Sequence, residues 1–498
     1  MSRARTLWLA ARAGALLPLA LAPFDWWPLS LLSVAILFRV LDDARPARAA
    51  ILGWAFGVGK YGVGASWIYV SIHDYGPAPM WLAGTLVALF VFALAWFPAA
   101  FTFAYARWVR GPNRWLNAVG FSACWVALEW ALTWFLTGFP WLFLGYAHLD
   151  DPLRHYAPVG GVLLVSLVAA LSATLAVAPL ARDATRRLLL VGAALALVPW
   201  LIGAVLGQAR WVAPGIAGRV ALVQGNVAQD VKWRPESVMP ILERYRTLSQ
   251  PYWQRDLVIW PEAAVTLFEQ EAMPFIEEMA RRANETGAAL LFGVPGYERL
   301  PDGDVTFRNM AVVVGNGSGH YIKRRLVPFG EYVPLERLLR GLIEFFDLPM
   351  SHAGSGPLQQ PLLTAGRWRV ATAICYEIVY ADLVRRDARE ADVIVTISND
   401  SWFGRSIGPH QHLQMARMRA LENGRYVLRA TNNGITAIIA PSGAVAAEVP
   451  QFEAVVLDGA FSGMTGVTPY GAVGDVPVLA LIAAGIGISL LRRRRLRT

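Results

Sequence analysis

The sequence predicts a polytopic α-helical membrane domain of about eight spans joined to an extracytoplasmic α/β domain. Hydrophobic residues make up 55% of the 498 residues and charged residues only 16%, well below the roughly 25% of a soluble chain. The long apolar runs are confined to the first 207 residues and to the C-terminal end. We therefore divide the chain into a transmembrane domain at 1–212 with seven spans, an α/β domain at 213–470, and a last span with a basic tail at 471–498.

The membrane part consists of consecutive apolar runs separated by short polar loops. A helix needs about 20 apolar residues to cross a bilayer, so the short second run is expected to be tilted, extended or re-entrant. Met1 to Leu21 lacks a convincing signal-peptide cleavage site, and further spans follow it at once. The predicted spans are 6–22, 28–41, 49–71, 80–106, 115–136, 157–180, 187–207 and 476–491.

Arginine collects on one side of these spans, which predicts the orientation of the chain. With eight spans, every basic cluster lies on the same side, and by the positive-inside rule that side and both termini are cytoplasmic. The large segment between 208 and 475 then lies on the opposite face. Seven spans would place one cluster on the wrong side. The clusters are Arg3 and Arg5; Arg45 and Arg48; Arg107, Arg110 and Arg114; Arg182, Arg186 and Arg187; and Arg492 to Arg495.

Charge and cysteine content exclude other classes of protein. The net charge of +9 comes mostly from short arginine clusters beside apolar runs, which argues for membrane orientation and against nucleic-acid binding. Only two cysteines occur, Cys124 in a predicted span and Cys375 in the α/β domain, so no disulfide framework is expected. Lys60 and Glu129 are ionisable residues within spans, which often mark function, although Lys60 can also snorkel from a helix end.

The central block alternates short β-branched runs with helical patterns, as expected for an α/β domain. Helical patterns occur at 238–250, 274–286 and 410–423, and Gly287 and Gly424 end the last two. The predicted strands are Val220–Val223, Leu257–Trp260, Ala289–Val294, Met310–Val314, Val370–Ile374, Val393–Ser398, Tyr426–Thr431 and Thr436–Ala440.

Reactive side chains follow the apolar runs of this block. Glu262 comes after a strand and a proline, Lys323 precedes Glu331 by eight positions, and Cys375 closes a strand. Each signal is weak alone, because free cysteines are usually buried hydrophobes and such charges usually lie in solvent. Together they make chemical sense, since a carboxylate can deprotonate the thiol and a lysine can stabilise thiolate and oxyanion.

These segments carry a resemblance to a known superfamily. Residues 260–262 (WPE), Lys323 with residues 328–334 (PFGEYVP), residues 374–377 (ICYE) and residues 398–404 (SNDSWFG) are similar to the ordered Glu, Lys, Cys signature of the nitrilase, or carbon–nitrogen hydrolase, superfamily. With the membrane layout and the helix at 414–420, the whole chain resembles the apolipoprotein N-acyltransferase family of the bacterial inner membrane. The resemblance implies a nitrilase-like αββα sandwich for the soluble domain.

The resemblance also implies a reaction. Glu262 would be the general base, and Cys375 the nucleophile that forms a thioester with a phospholipid acyl chain. Lys323 would stabilise the oxyanion beside the backbone N–H after Cys375, and Glu331 would orient Lys323 or assist proton transfer. The acceptor would be the α-amino group of the N-terminal diacylglyceryl-cysteine of an apolipoprotein. No cofactor or metal is expected, and His410 and His412 are interpreted as packing or polar support. We expect a monomer in the bilayer of the inner membrane, with its catalytic domain on the periplasmic face.

Further side chains are candidates for substrate contact. Trp233 matches an aromatic residue near the active-site entrance of the family, whereas ordinary core packing is the alternative for the other aromatic residues. The remaining candidates are Asn309, Tyr376, Glu377, Trp402 and Phe403.

Two other functions stay open from the sequence. A membrane-anchored amidase or nitrilase of the same superfamily would act on a small amide, but eight spans exceed what an anchor needs. A transporter with an extracytoplasmic receptor domain would use Lys60 and Glu129 as part of a pathway, but the spans hold few ionisable residues.

Overall fold

The computed structural model describes residues 2–76, 78–180, 184–299, 305–332 and 353–495. It divides into two compact units. The first comprises Met1–Tyr69, Pro79–Arg210 and Ala472–Thr498, and the second comprises Val70–Ala78 and Trp211–Gly471. Three residues of the predicted patterns, Arg182 of one basic cluster and Val333 and Pro334 of the 328–334 motif, lie outside the described residues.

The first unit is helical, and each predicted apolar run overlaps one of its helices. Within the described residues, Met80–Val109, Pro152–Val177 and Arg186–Leu206 are long and apolar enough to cross a membrane. Pro28–Val40 and Val476–Arg492 are shorter apolar helices, so the number of eight spans stays a prediction. The helices are α1 Arg3–Leu16, α2 Pro28–Val40, α3 Pro46–Gly64, α4 Trp67–His73, which continues into the second unit, α5 Met80–Leu94, α6 Trp96–Ala104, α7 Arg114–Ala131, α8 Ala157–Val177 and α9 Arg186–Leu206.

Two charged residues are buried inside this helical unit. Lys60 of α3 is 1% exposed and lies over the Trp125 ring, with its Nζ 5.7 Å from the ring centroid. Glu129 of α7 accepts hydrogen bonds from Trp125 Nε1 at 2.9 Å and from the backbone N–H of Leu144 at 2.8 Å. Snorkelling is therefore wrong for Lys60, because its side chain is enclosed by protein.

The second unit contains two mixed β-sheets. The six-stranded sheet has the order β13-β1-β2-β3-β4-β6, and the seven-stranded sheet has the order β12-β11-β10-β9-β8-β7-β5. Parallel pairs β1–β2, β2–β3, β8–β9 and β9–β10 form the centres of the sheets. The strands are β1 Val212–Gln224, β2 Leu257–Ile259, β3 Ala289–Arg299, β4 Val305–Gly315, β5 Gly317–Ser318, β6 His320–Ile322, β7 Leu363–Ala365, β8 Trp368–Ile374, β9 Val393–Ser398, β10 Val427–Thr431, β11 Ala437–Ile439, β12 Val445–Glu448 and β13 Val455–Gly466.

The sheets pack face to face, with helices on their outer faces. One apolar core joins inward residues of both sheets, including Ile259, Leu291, Ile374 and Ile397. A second core fills the space between the six-stranded sheet and two helices, α10 and α11. The result is the four-layer α-β-β-α arrangement predicted from the resemblance. The helices of this part are α10 Val238–Ser249, α11 Glu269–Thr286, α12 Ala381–Ala388, α13 Gly408–Asn423 and α14 Pro469–Val473, followed in the first unit by α15 Val476–Arg495.

All eight predicted strands and all three predicted helices of this domain are present; β1 begins eight residues before its predicted start, and the other ends shift by at most five residues. Strands β5, β6, β7, β12 and β13 were not predicted from the sequence. Glycines at 459, 463 and 466 weaken the strand pattern of β13 in the sequence. The strand forms because β1 supplies a long antiparallel partner. Short α12 was also missed, since eight residues carry little periodic signal.

Candidate active site

Three side chains predicted to act together come from the ends of strands in both sheets. Glu262 follows β2, Lys323 follows β6, and Cys375 follows β8 directly at the start of a 3₁₀ turn, Cys375–Val379. Cys375 has φ of +53°, a left-handed conformation that is uncommon for a residue with a side chain. This sharp turn ends β8 at Ile374 and holds the thiol at the strand end.

Lys323 joins two carboxylates in the interior of the domain. Its Nζ lies 3.3 Å from Glu262 Oε1 and 2.8 Å from Glu331 Oε1. The side chain of Lys323 is only 1% exposed, so water screens these ion pairs little. The structure thus brings together the predicted base, its predicted electrostatic partner and the supporting carboxylate.

Asparagines complete the hydrogen bonds of Glu262. The Nδ2 of Asn309 donates to Glu262 Oε1 at 2.7 Å and to Glu331 Oε1 at 3.2 Å. The backbone N–H of Asn399, directly after β9, donates to Glu262 Oε2 at 2.8 Å. Both oxygens of Glu262 are therefore fixed, and Asn309 acts as a link between the two carboxylates.

Burial and charge set the protonation states of the site. Burial raises the pKa of the Cys375 thiol, and the nearby Glu262 carboxylate raises it further. Burial alone would raise the pKa of Glu262 as well, but Lys323 and the Asn309 hydrogen bond hold it below its usual value. Burial opposes the charge of Lys323, yet the two carboxylates outweigh this and raise its pKa. The resting site therefore holds a neutral Cys375 thiol, an ionised Glu262 carboxylate and a charged Lys323 ammonium.

Glu377 lies beneath the cysteine turn. It is fully buried, and its Oε1 accepts from the backbone N–H groups of Arg324 at 2.7 Å and Arg325 at 3.1 Å. Its Oε2 accepts from Tyr321 Oη and from the backbone N–H of Ile374, both at 2.8 Å. The structure thus places this substrate-contact candidate between the segment after Lys323 and the segment before Cys375, with both oxygens bonded to protein donors.

A buried charged network also contacts the cysteine turn. His412 Nε2 lies 3.2 Å from the carbonyl oxygen of Cys375, and His412 Nδ1 lies 3.1 Å from Asp400 Oδ1. Asp400 also pairs with Arg429 at 2.5 Å. Burial and the Arg429 charge lower the pKa of His412. A neutral imidazole that donates from Nε2 to the Cys375 carbonyl can accept at Nδ1 from Arg429 Nη2, 3.2 Å away. Polar support by His412 agrees with this arrangement.

A second lysine, Lys232, lies beside Glu262. It is 1% exposed, its Nζ donates to the backbone carbonyl of Glu262 at 3.2 Å, and it lies 5.9 Å from the Trp233 ring centroid. Burial lowers the pKa of Lys232 to about 8, although Glu262 partly opposes this. Lys232 was not predicted from the sequence.

The aromatic candidates differ in exposure. Trp233 and Trp402 are 38% and 37% exposed, and the Trp402 ring lies 6.4 Å from that of Tyr75 in the same unit. Phe403 packs at 5.9 Å from the His412 ring. Tyr376 is buried, with its ring 5.3 Å from Tyr380. Contact of these residues with substrate stays a prediction.

Within the ranges that the structure describes, no group of three or more His, Cys, Asp or Glu side chains is arranged to hold a metal ion.

Both parts of the chain match models of known protein families. The family model for the apolipoprotein N-acyltransferase N-terminal domain matches residues 13–175, and the carbon-nitrogen hydrolase model matches residues 219–470. The apolipoprotein N-acyltransferase of Azotobacter vinelandii is 50% identical over 490 residues, covering 98% of this chain and 95% of its own. The chain belongs to the apolipoprotein N-acyltransferase family.

Other members of the apolipoprotein N-acyltransferase family match nearly as well. The Pseudomonas aeruginosa protein is 49% identical over 464 residues, covering 93% of this chain and 91% of its own.

Among solved structures, Saccharomyces cerevisiae Nit3, a member of branch 10 of the nitrilase superfamily, shows 17% identity and a TM-score of 0.39, covering 51% of this chain and 92% of its own.

Family membership confirms the enzyme class predicted from the sequence. The chain is an apolipoprotein N-acyltransferase with a carbon-nitrogen hydrolase domain, and the amidase and transporter alternatives are not favoured. Its apolar helices fit a membrane protein.

Proposed function

We propose that Cys375 carries the acyl chain as a thioester between a phospholipid donor and the α-amino group of an N-terminal diacylglyceryl-cysteine. The observation that carries this proposal is the buried Lys323 ammonium held between Glu262 and Glu331 at 3.3 and 2.8 Å. The general base, the fixed positive charge and the thiol follow β2, β6 and β8, strands of both sheets, and the charges of Glu262 and Lys323 both act on Cys375. Side chains alone supply the base, the electrostatic stabilisation and the nucleophile.

In the first half-reaction, Glu262 accepts the thiol proton while the sulfur attacks the ester carbonyl of the phospholipid. The raised pKa of Cys375 and the lowered pKa of Glu262 oppose this transfer in the resting site, so we expect it to accompany attack. Lys323 and the backbone N–H of Tyr376 stabilise the resulting oxyanion. The intermediate then expels the glycerol oxygen, which takes the proton from Glu262 and leaves as lysophospholipid.

In the second half-reaction, the free α-amino group of the apolipoprotein attacks the thioester carbonyl. Glu262 takes a proton from the attacking nitrogen, and the same oxyanion stabilisers act again. Collapse breaks the C–S bond, forms the amide, and returns the proton to the sulfur. Glu331 supports both steps because its Oε1 fixes the position of the Lys323 ammonium.

The location of the domains follows from the arginine clusters. We propose eight spans, cytoplasmic termini and a catalytic domain, residues 213–470, on the periplasmic face of the bacterial inner membrane, with the protein acting as a monomer. Reporter fusions after residue 110 and at the C-terminus should report cytoplasm, and a fusion near residue 300 should report the outer compartment. A cytoplasmic signal near residue 300 would overturn this topology.

A chase experiment tests the acceptor. The enzyme is first acylated with labelled phospholipid, the free donor is removed, and a diacylglyceryl-cysteine peptide is added. We expect the label to move to the peptide as an amide that resists hydroxylamine. Release of the label only as free fatty acid, at the same rate with and without the peptide, would indicate a hydrolase and contradict the proposal.

A further inference from the structure

Arg325 lies close to the cysteine turn but takes no part in the acyl-transfer steps. It is the second residue after Lys323, and its backbone N–H donates to Glu377 Oε1 at 3.1 Å. The same carboxylate holds the N–H of Ile374, directly before Cys375. The main chain at Arg325 is therefore fixed to the turn that presents the thiol.

The side chain of Arg325 is held against an aromatic ring. Its guanidinium carbon lies 5.2 Å from the centroid of the Tyr380 ring, and the Tyr380 ring lies 5.3 Å from that of Tyr376, the residue after the nucleophile. Stacking of this kind holds a guanidinium plane in place while leaving its N–H donors available at the edge. Arg325 is thus a preorganised donor beside the site.

Neighbouring Arg324 has a different environment. Arg324 is 6% exposed, pairs with Asp387 at 2.5 Å and donates to the Leu358 carbonyl at 3.1 Å. Arg325 is half-buried, and none of the residues that the structure describes forms an ion pair with its guanidinium or accepts a hydrogen bond from it. Glu377, the carboxylate fixed to its backbone, already accepts four hydrogen bonds. The charge of Arg325 is therefore available to a ligand.

The chemistry of the donor supplies a matching anion. The phosphodiester of a glycerophospholipid lies one glycerol unit from the ester carbonyl that must reach Cys375. A guanidinium binds two phosphate oxygens through parallel N–H bonds. We propose that Arg325, held on the Tyr380 ring, binds the phosphodiester group of the phospholipid donor. This inference rests on the proposed acyl transfer from a phospholipid and assigns the subsite that orients the donor.

The test compares two acyl donors that differ in the phosphate. Formation of the hydroxylamine-sensitive acyl-enzyme is measured with phosphatidylglycerol and with a phosphate-free p-nitrophenyl ester of the same fatty acid. Arg325→Gln should raise the phospholipid concentration needed for half-maximal acylation about 10–100-fold, the loss expected for a hydrogen bond between charged groups. Acylation by the phosphate-free ester should be unchanged. Arg325→Lys should lie between wild type and Arg325→Gln, because lysine keeps the charge without the paired donors.

The controls separate this inference from the reaction itself. Arg281→Gln removes an exposed arginine from α11 and should behave as wild type with both donors. Equal losses with both donors in Arg325→Gln would show a structural role and overturn the subsite. A change only in inhibition by inorganic phosphate, with phospholipid use unchanged, would indicate a free-phosphate site and also overturn it. Failure of wild type to be acylated by either donor would instead contradict the proposed function.

Discussion

Replacing Glu377 with glutamine should weaken both the fold and the nucleophile, although the two side chains have nearly the same size. The carboxylate accepts four hydrogen bonds, from Arg324 N and Arg325 N on Oε1 and from Tyr321 Oη and Ile374 N on Oε2. A glutamine oxygen can serve only one of these pairs. The best arrangement turns the amide NH₂ toward Tyr321, whose hydroxyl can rotate and accept, and leaves the Ile374 N–H without an acceptor.

The expected loss of stability in Glu377→Gln follows from these hydrogen bonds. One buried N–H without a partner costs about 1–3 kcal/mol, and two backbone donors exchange a charged acceptor for a weaker neutral one at about 1 kcal/mol each. We therefore expect Glu377→Gln to lower the free energy of unfolding by about 3–5 kcal/mol, a fall in Tm on the order of 10 °C. Displacement of the Cys375 turn should also slow acylation about 10²-fold.

The assay is thermal melting of the full-length protein in detergent, together with the rate of acyl-enzyme formation. Glu390→Gln is the matched control, since Glu390 is exposed, and its stability should change by less than about 0.5 kcal/mol. If Glu377→Gln melted and acylated as wild type does, the four-donor arrangement would be unimportant and our account of Glu377 would be wrong.

Three further predictions concern the charges of the site. Glu262→Gln should lose acylation at neutral pH and regain part of it at alkaline pH, where thiolate forms without a base; single-turnover rates against pH measure this. Lys323→Met should be slower by about 10²–10³-fold and gain much less from raised pH, so equal rescue of the two variants would contradict their assigned roles. The folded-state pKa of Lys232 is about 8, below the roughly 10.4 of an unfolded lysine. Between pH 8 and pH 10 the unfolded state therefore binds more protons than the folded state. Wild type should then gain stability relative to Lys232→Met as pH rises over this range, as measured by thermal melting. A stability difference between the two proteins that falls over the same range would contradict this.

The residues proposed for catalysis could be selected from the sequence because their signals are local. An apolar run that ends in a reactive side chain defines a strand and the residue after it, as for Glu262 and Cys375. The order of these segments, with Lys323 between them, then indicated the superfamily. The same local signals found the central strands of both sheets, whose buried runs are rich in β-branched residues.

The remaining contacts depend on residues far apart in the chain. Asn399 donates to Glu262 through its backbone N–H. This contact does not depend on the side chain, so the sequence gives no signal of it. Lys232 resembles any surface lysine in the sequence, and only the fold shows that it is buried. Glu377 was predicted to contact substrate, whereas its four hydrogen-bond donors come from segments that meet only in the folded domain. The orientation of the spans rests on arginine counts and stays a prediction.

Locating the acyl group tests the central claim most directly. The chain has only two cysteines, Cys124 and Cys375, so Cys124→Ala is a matched control for Cys375→Ala. After incubation with phospholipid and proteolysis, mass spectrometry should find one hydroxylamine-sensitive acyl group on the peptide containing Cys375, in wild type and in Cys124→Ala. Cys375→Ala should carry no thioester. An acyl-enzyme that still formed in Cys375→Ala, or that mapped to Cys124, would contradict the account.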